Sequence, residues 1–307
     1  MTRNTQGRRM RIIVGLDLTE RSEPAFARAV RLALEQSAEL TILHAISRDL
    51  PEQLTSAHTE YATALVKDHA ARAKSSGLSD VTQVIVAGID YEALAEQAEH
   101  ARADLIVLGT HHERSVLPDM IGTTVDRLLR LSAKPVLLVK RAPQHRYKRV
   151  LVAVDFSVAS QKALALTLEL FPDAEVLVVN TWGWRRKPAE TAAAESPEQN
   201  QAHRLALNGL VREAEEAAGQ RADGEPRKIF EILETGTPET VIPELAKERL
   251  ADLIVTGTHA RTGLTRFLLG SVAEEIVLRT EADVFVVPPP PTAHAPATRT
   301  QKTIFVA

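Results

Sequence analysis

Short apolar runs recur along the chain and predict ten buried strands. In each half the first run ends directly before an aspartate, Asp17 in the first half and Asp155 in the second. Runs of about four to eight residues that are rich in Val, Ile and Leu are typical of buried strands. The predicted strands are 12–16, 40–45, 81–87, 105–108 and 135–139 in the first half, and 150–154, 176–179, 229–233, 253–256 and 284–287 in the second.

Helices are predicted between these strands. Apolar residues lie three or four positions apart over 23–35 and over 159–170, the spacing of an amphipathic helix. Thr237 followed by Pro238 has the pattern of an N-cap and a first helical residue. Alternating strands and helices favour parallel sheets with helices on both faces. The sequence therefore predicts an α/β fold with two tandem, Rossmann-like, doubly wound domains, each with a five-stranded parallel sheet.

One sequence occurs twice with a single difference. The first copy, ADLIVLGTH, begins at Ala103, and the second, ADLIVTGTH, begins at Ala251. Each copy is followed at the same distance by a glycine and a hydroxyl residue, Gly122 with Thr123 and Gly270 with Ser271. A repeat of this length and spacing indicates a tandem duplication.

The duplication divides the chain into two domains and a tail. We expect the first domain at 10–141 and the second at 148–288, with a short linker between them. Four consecutive prolines begin at Pro288 and precede a polar C-terminal segment. We expect a flexible tail over 289–307, because a stiff polyproline segment and a polar terminus are typical of segments outside the core.

Composition narrows the class of protein. The 307 residues include 37 Lys and Arg and 40 Asp and Glu, which gives a formal net charge of -3. There is therefore no excess of basic residues that would indicate nucleic acid as a partner. No apolar stretch approaches the length of a membrane span, and we expect no membrane partner. The chain has no cysteine, which fits a reducing compartment. We therefore expect a cytoplasmic protein.

The predicted sheets direct attention to the carboxyl ends of their strands. In doubly wound sheets ligands bind there, where the strand order reverses. If the first and fourth strands of the second domain are neighbours, Asp155 and Gly257 face one crevice. Gly270 and Ser271 open a helix, whose free N–H groups and dipole suit a phosphate. The alternative is that the glycines only form turns and Ser271 only caps its helix.

At this point the sequence resembles the universal stress protein family, in its tandem form. The ATP-binding branch of that family has a signature of glycine, two residues, glycine, nine residues, then glycine with serine or threonine. The second domain has Gly257, Ala260, Gly270 and Ser271 in that register. Ala260 stands where the signature has glycine, which is the smallest possible departure.

The resemblance implies a binding site in the second domain for ATP or a related adenine nucleotide, with or without Mg²⁺. It implies Asp155 and Thr181 on the adenosine side. On the phosphate side it implies Gly257, His259, Ala260, Gly270, Ser271 and Val272. The corresponding positions of the first domain are Asp17, Gly109, His112, Gly122 and Thr123; an imidazole at His112 would take space that a phosphate needs, although a protonated one could contact it.

The resemblance also implies an intramolecular pseudo-dimer through the fifth strands, near 136–139 and 284–287, with further self-association possible. We interpret the chain as a stress-response protein that acts as a nucleotide-responsive regulatory module. Two alternatives stay open: a slow ATPase or autophosphorylating enzyme, and a nucleotide-free interaction protein. No P-loop and no nucleophile elbow is present, and the histidines and carboxylates do not have metal-ligand spacing. The sequence favours a binding module over an enzyme.

Overall fold

The chain folds into two compact units that meet in the sequence between Arg146 and Tyr147. The computed structural model describes residues 8–47, 52–110, 123–182, 197–258, 271–290 and 303–305. Unit 1 contains the described residues up to Arg146 together with 303–305, and unit 2 contains those from Tyr147 to Pro290.

Unit 1 has five parallel strands joined by helices. Its strand order is β3-β2-β1-β4-β5, with parallel pairing throughout. The strands are β1 (Arg11–Gly15), β2 (Glu39–Ile46), β3 (Val81–Ala87), β4 (Leu105–Gly109) and β5 (Val136–Val139), and the helices are α1 (Glu23–Glu35), α2 (Glu52–Ser75), α3 (Asp90–His100) and α4 (Thr123–Leu131).

Unit 2 repeats this architecture. Its order, β8-β7-β6-β9-β10, is that of unit 1, and all of its recorded pairs are parallel. The strands are β6 (Arg149–Val154), β7 (Glu175–Trp182), β8 (Lys228–Thr235), β9 (Leu253–Gly257) and β10 (Asp283–Val287), and the helices are α5 (Val158–Leu170), α6 (Pro197–Ala218), α7 (Pro238–Glu248) and α8 (Ser271–Arg279). The predicted α/β class and the two five-stranded parallel sheets are confirmed.

Part of the predicted flexible tail is a strand. Residues Thr303–Phe305 form β11, which pairs antiparallel with β3 at the edge of the unit 1 sheet. The prediction of a flexible tail over 289–307 was therefore wrong for these three residues. The physical reason is that the outer edge of β3 offers free N–H and C=O groups, and a short extended segment satisfies them. Residues 291–302, 306 and 307 lie outside the described part of the chain.

The repeated Ala-Asp-Leu sequence anchors the beginnings of the strands. Asp104 Oδ2 accepts a hydrogen bond from Arg11 N at 2.9 Å, and Asp252 Oδ2 accepts one from Arg149 N at the same distance. The guanidinium of Arg11 reaches Glu39, as that of Arg149 reaches Glu175 at the start of β7. These charged residues thus lie at the amino ends of the strands, where they join neighbouring strands. They are at the other end of the strands from the carboxyl ends.

Candidate functional site

The strand order reverses beside the first strand of each unit. In unit 2, β6 lies between β7 and β9, and Ala153 pairs with Thr256 while Val154 pairs with Asn180. Asp155 and Thr181 each come one residue beyond the β6–β7 pair, and Gly257 one residue beyond the β6–β9 pair. The structure therefore brings these three predicted residues together at the carboxyl ends of the strands, where doubly wound folds bind ligands.

A strained turn follows the first strand in both units. Asp155 is exposed and its Oδ1 accepts a hydrogen bond from Ser157 N at 3.1 Å. Phe156, between them, has a φ of 62°, a left-handed conformation that costs non-glycine residues roughly 1–2 kcal/mol. Ser157 then caps α5 through its side chain. The aspartate is thus held by the backbone of its own turn.

Unit 1 forms the same turn with different side chains. Asp17 Oδ1 accepts hydrogen bonds from both Thr19 N and Thr19 Oγ1 at 2.9 Å, and Leu18 has a φ of 59°. Strained backbone that persists in two repeats is kept by its surroundings, and it is concentrated at binding sites in other proteins. The turn is therefore a shared feature of the two candidate sites.

Gly257 is required by the packing of α5. A Cβ at this position would lie 2.9 Å from Ala159 C, Ala159 Cβ and Ser160 N, closer than any stable carbon contact. At the equivalent Gly109 the nearest atom would be Arg21 O at 3.2 Å. The glycine that the sequence analysis assigned to phosphate approach thus also allows the end of β9 to lie directly against the first turn of α5.

Two buried polar atoms near the carboxyl ends of β6, β7 and β9 have no hydrogen-bond partner among the described residues. Asn180 Nδ2 donates to Val154 O at 2.8 Å, which leaves Asn180 Oδ1 unpaired. Thr258 Oγ1 is also unpaired, in a residue that is 1% exposed. A buried polar atom without a partner costs about 1–3 kcal/mol. Each atom therefore calls for a donor or acceptor from a ligand or an ordered water.

Unit 1 repeats this arrangement with a histidine. His44 occupies the register position of Asn180, and its Nδ1 lies 2.8 Å from Leu16 O. With Nδ1 donating to that carbonyl, Nε2 is an acceptor, and it is buried without a partner among the described residues. Burial lowers the pKa of His44, which keeps the ring neutral. Thr110 Oγ1 is unpaired in the same sense, as its equivalent Thr258 is.

Three rings gather next to the crevice of unit 2. The Trp182 and His203 ring centroids are 5.0 Å apart, and those of Phe156 and His203 are 6.4 Å apart. Trp182 ends β7 and is buried, while His203 comes from α6. These rings pack against one another at the carboxyl end of β7.

The helix that carries the hydroxyl residue begins where predicted. Ser271 is the first residue of α8 and is exposed, and Val272 follows it, half-buried. Thr123 is the first residue of α4 in unit 1. Five further predicted site residues lie outside the described part of the chain, three in the second domain (His259, Ala260 and Gly270) and two in the first (His112 and Gly122).

The described residues include neither a cluster of metal ligands nor a helix that could span a membrane. They contain no group of three or more His, Cys, Asp or Glu side chains arranged to hold a metal ion. None of the helices in the described ranges is both long and apolar enough to cross a membrane.

The sequence analysis did not identify the buried polar atoms that the two units have at equivalent positions. His44 and Asn180 differ in residue type, so the repeat does not show in the letters at this position. Thr110 and Thr258 do lie inside the repeated sequence, where they read as strand-end residues. An alignment of the two repeats by strand register, with attention to polar residues inside apolar strands, would have singled out His44 and Asn180.

The chain matches one family along nearly its whole length. The model of the universal stress protein family matches residues 8–140 and again residues 146–288. Universal stress protein E of Salmonella typhi is 27% identical over 300 residues, which cover 91% of this chain and 94% of that protein. A putative universal stress protein of Staphylococcus aureus is 35% identical over 145 residues, 46% of this chain and 84% of its own.

A solved structure shares the fold. The crystal structure of a universal stress protein from Archaeoglobus fulgidus superposes with a TM-score of 0.70 and covers 91% of this chain and 98% of its own. Its sequence identity is 18%, so this likeness concerns the fold alone.

Proposed function

We propose, because this chain belongs to the universal stress protein family, that it binds ATP or a related adenine nucleotide in its second domain. The bound state would set the conformation or the choice of partner, so the protein would act as a nucleotide-responsive regulatory module in a stress response. Its cysteine-free composition is in keeping with work in the cytoplasm.

The observation that carries the proposal is the set of polar groups at the carboxyl edge of β6, β7 and β9. Asp155 and Thr181 there each follow the last residue at which β6 and β7 pair. Asn180 Oδ1 and Thr258 Oγ1 lack hydrogen-bond partners among the described residues. Adenosine carries an amino group and ribose hydroxyls, which are the kinds of donor that a carboxylate and an amide oxygen accept. The half-buried His203 ring, packed against Trp182, would be the aromatic group nearest to a purine bound there.

The phosphate side rests on the signature and on α8. Gly257 ends β9, and Ser271 begins α8, whose first N–H groups have no partner within the helix. Gly257, His259, Ala260, Gly270, Ser271 and Val272 would hold the phosphates. When bound, the nucleotide would supply the anionic phosphates, with Mg²⁺ sharing their charge, and the chain would supply the helix dipole and hydroxyl that receive them.

Binding in the first domain is the weaker proposal. Its equivalent positions are Asp17, Gly109, His112, Gly122 and Thr123, and the imidazole of His112 takes the place of the small residue of the signature. The buried acceptor there is His44 Nε2 rather than an amide oxygen. We propose that the first domain has a structural or regulatory role beside the second, in an intramolecular pseudo-dimer of the kind the tandem family match favours.

The test is calorimetric titration of nucleotide-stripped protein with ATP and Mg²⁺. Two matched variants locate the site: Gly270→Asp places a carboxylate on the proposed phosphate path of the second domain, and Gly122→Asp does the same in the first. We expect saturable binding near one equivalent that is lost in Gly270→Asp and kept in Gly122→Asp. Binding that survives Gly270→Asp, or no binding by the wild type, would refute the proposal.

Product analysis on the same samples addresses catalysis. The regulatory proposal expects ATP to remain intact over the titration. Stoichiometric ADP or a phosphorylated chain would instead support the alternative of a slow ATPase or autophosphorylating enzyme, and this outcome leaves the site assignment as it stands.

A further inference from the structure

The outer edge of unit 2 is a long strand that no described segment covers. β8 is the last strand in the order of its sheet, and over its eight residues no described segment pairs with its outer side. Phe230 on this strand is 51% exposed. An edge of this length presents a row of free N–H and C=O groups, which is a template for pairing with another chain.

The equivalent edge of unit 1 is already covered. β11 pairs with Val84, Ile85 and Val86 of β3, and these three residues are at most 4% exposed. The corresponding residues of β8, given by the pairing of β3 with β2 and of β8 with β7, are 232–234, and all three are half-buried. Among the described residues, the edge strand of the first repeat is thus covered and that of the second is not.

The sequence of β8 is complementary to itself. If two copies pair antiparallel with Glu231 at the centre, Lys228 of one copy faces Glu234 of the other, and Phe230 faces Ile232 on the same side of the sheet. On the opposite side Ile229 faces Leu233. A two-fold axis makes each of these pairs occur twice. Opposite charges and apolar partners directly across from one another stabilise a pair of strands.

We propose that β8 is the docking site for a second copy of this chain, through antiparallel pairing of the two β8 strands centred on Glu231. An isologous contact of this kind closes at a dimer. Coverage of β3 by β11 denies the equivalent edge of unit 1 to the same association, so the contact does not propagate from that edge. This inference is independent of nucleotide binding.

One pair in this register is unfavourable. Glu231 would face the partner's Glu231, and like charges directly across two strands destabilise pairing. With the Asn208 side chain oriented so that its nitrogen faces the carboxylate, Asn208 donates to Glu231 Oε2. Glu231→Gln removes the repulsion and keeps the shape, so we expect the dimer to become several-fold tighter.

The decisive experiment is a charge exchange followed by sedimentation equilibrium of the full-length protein. Lys228→Glu places two glutamates opposite each other at both ends of the pairing, and Glu234→Lys does the same with lysines. Each single variant should weaken the dimer by about tenfold, from two altered pairs of about 0.7 kcal/mol each. The double variant restores opposite charges and should return the dissociation constant to near that of the wild type.

Cross-linking tests the register directly. Because the chain has no cysteine, Glu231→Cys introduces a single thiol that would face its own copy at a distance that a disulfide spans. Gln83→Cys is the matched control, since it has the equivalent position on β3 next to the residues that β11 covers. We expect a covalent dimer from Glu231→Cys and little from Gln83→Cys.

Three results would overturn the proposal. A wild-type protein that stays monomeric at the highest soluble concentration would do so, as would self-association that neither charge variant alters. Loss of the dimer on deletion of residues 303–307 would show that the tail of the second copy, rather than its β8, occupies this edge. Far-UV circular dichroism of each variant checks that the fold is retained.

Discussion

Replacement of Gly257 by alanine should destabilise unit 2. The added Cβ would lie 2.9 Å from three atoms of the first turn of α5, two carbons of Ala159 and Ser160 N. Carbon atoms pack favourably at about 3.5–4.0 Å, so the turn or the strand end has to move by more than half an ångström. Ala159 C and Ser160 N are backbone atoms that no rotamer change can relieve. We expect a loss of about 1–3 kcal/mol of unfolding free energy, as in other overpacked sites.

Two other glycines calibrate this expectation. A Cβ at Gly109 would meet Arg21 O at 3.2 Å and nothing else within 3.8 Å, so Gly109→Ala should cost less than about 1 kcal/mol. A Cβ at Gly209, within α6, meets nothing within 4 Å. Gly209→Ala should stabilise the protein by about 0.5–1 kcal/mol, because alanine is the better helix residue.

Urea unfolding followed by tryptophan fluorescence measures the effect. Both tryptophans, Trp182 and Trp184, lie in the second half of the chain, so fluorescence reports on unit 2, while circular dichroism follows the whole protein. The account expects the midpoint by fluorescence to fall for Gly257→Ala and to rise for Gly209→Ala. A Gly257→Ala protein as stable as the wild type would refute the steric argument.

Three further predictions follow from buried polar groups. Burial lowers the pKa of His44 below its usual 6.5, so the unfolded chain binds the proton more readily than the folded chain does. The free energy of unfolding should therefore fall as the pH drops below about 6.5. His44→Asn introduces the residue that unit 2 has at the equivalent Asn180, and urea titrations at a series of pH values should show a weaker pH dependence for this variant. Tyr147→Phe removes the 2.6 Å hydrogen bond to buried Asp283 and should cost about 1.5–3 kcal/mol by the same assay. Thr258→Val removes an unpaired hydroxyl: stability without ligand should stay equal or rise by up to about 1 kcal/mol, while calorimetry should show weaker ATP binding.

The sequence predicted the regular elements well because their signals are local. α1 has the predicted bounds, and the ten parallel strands differ from prediction by at most three residues at an end. β-branched runs between helices leave few alternatives, and the tandem repeat supplies each element twice. The strand order within each sheet was not predicted, because doubly wound sheets occur in more than one order.

Long-range pairing explains the main failure. β11 has only three residues and pairs with β3, far away in the sequence. No periodic pattern exists in a segment so short, and the free edge that it covers is a property of the assembled sheet. Ile304, Phe305 and Val306 are apolar and differ from the proline-rich and polar residues before them, but this composition does not indicate which strand edge they would cover.

Only part of the candidate site could be predicted from the sequence. Asp155 and Gly257 follow apolar strands and stand out in the letters, whereas Asn180 is one polar residue within β7, and its role appears only when Val154 O is seen beside it. Gly257 shows the opposite case. Sequence reasoning found the residue and gave one reason for it, and the geometry supplies a second, the contact with α5.

A crystal structure of the protein with ATP and Mg²⁺ tests the central claim most directly. The account predicts nucleotide density in unit 2, with the adenosine next to Asp155 and Thr181 and the phosphates at the beginning of α8. Density confined to unit 1 would contradict it, as would an empty edge at β6 and β9 in crystals grown at saturating ATP.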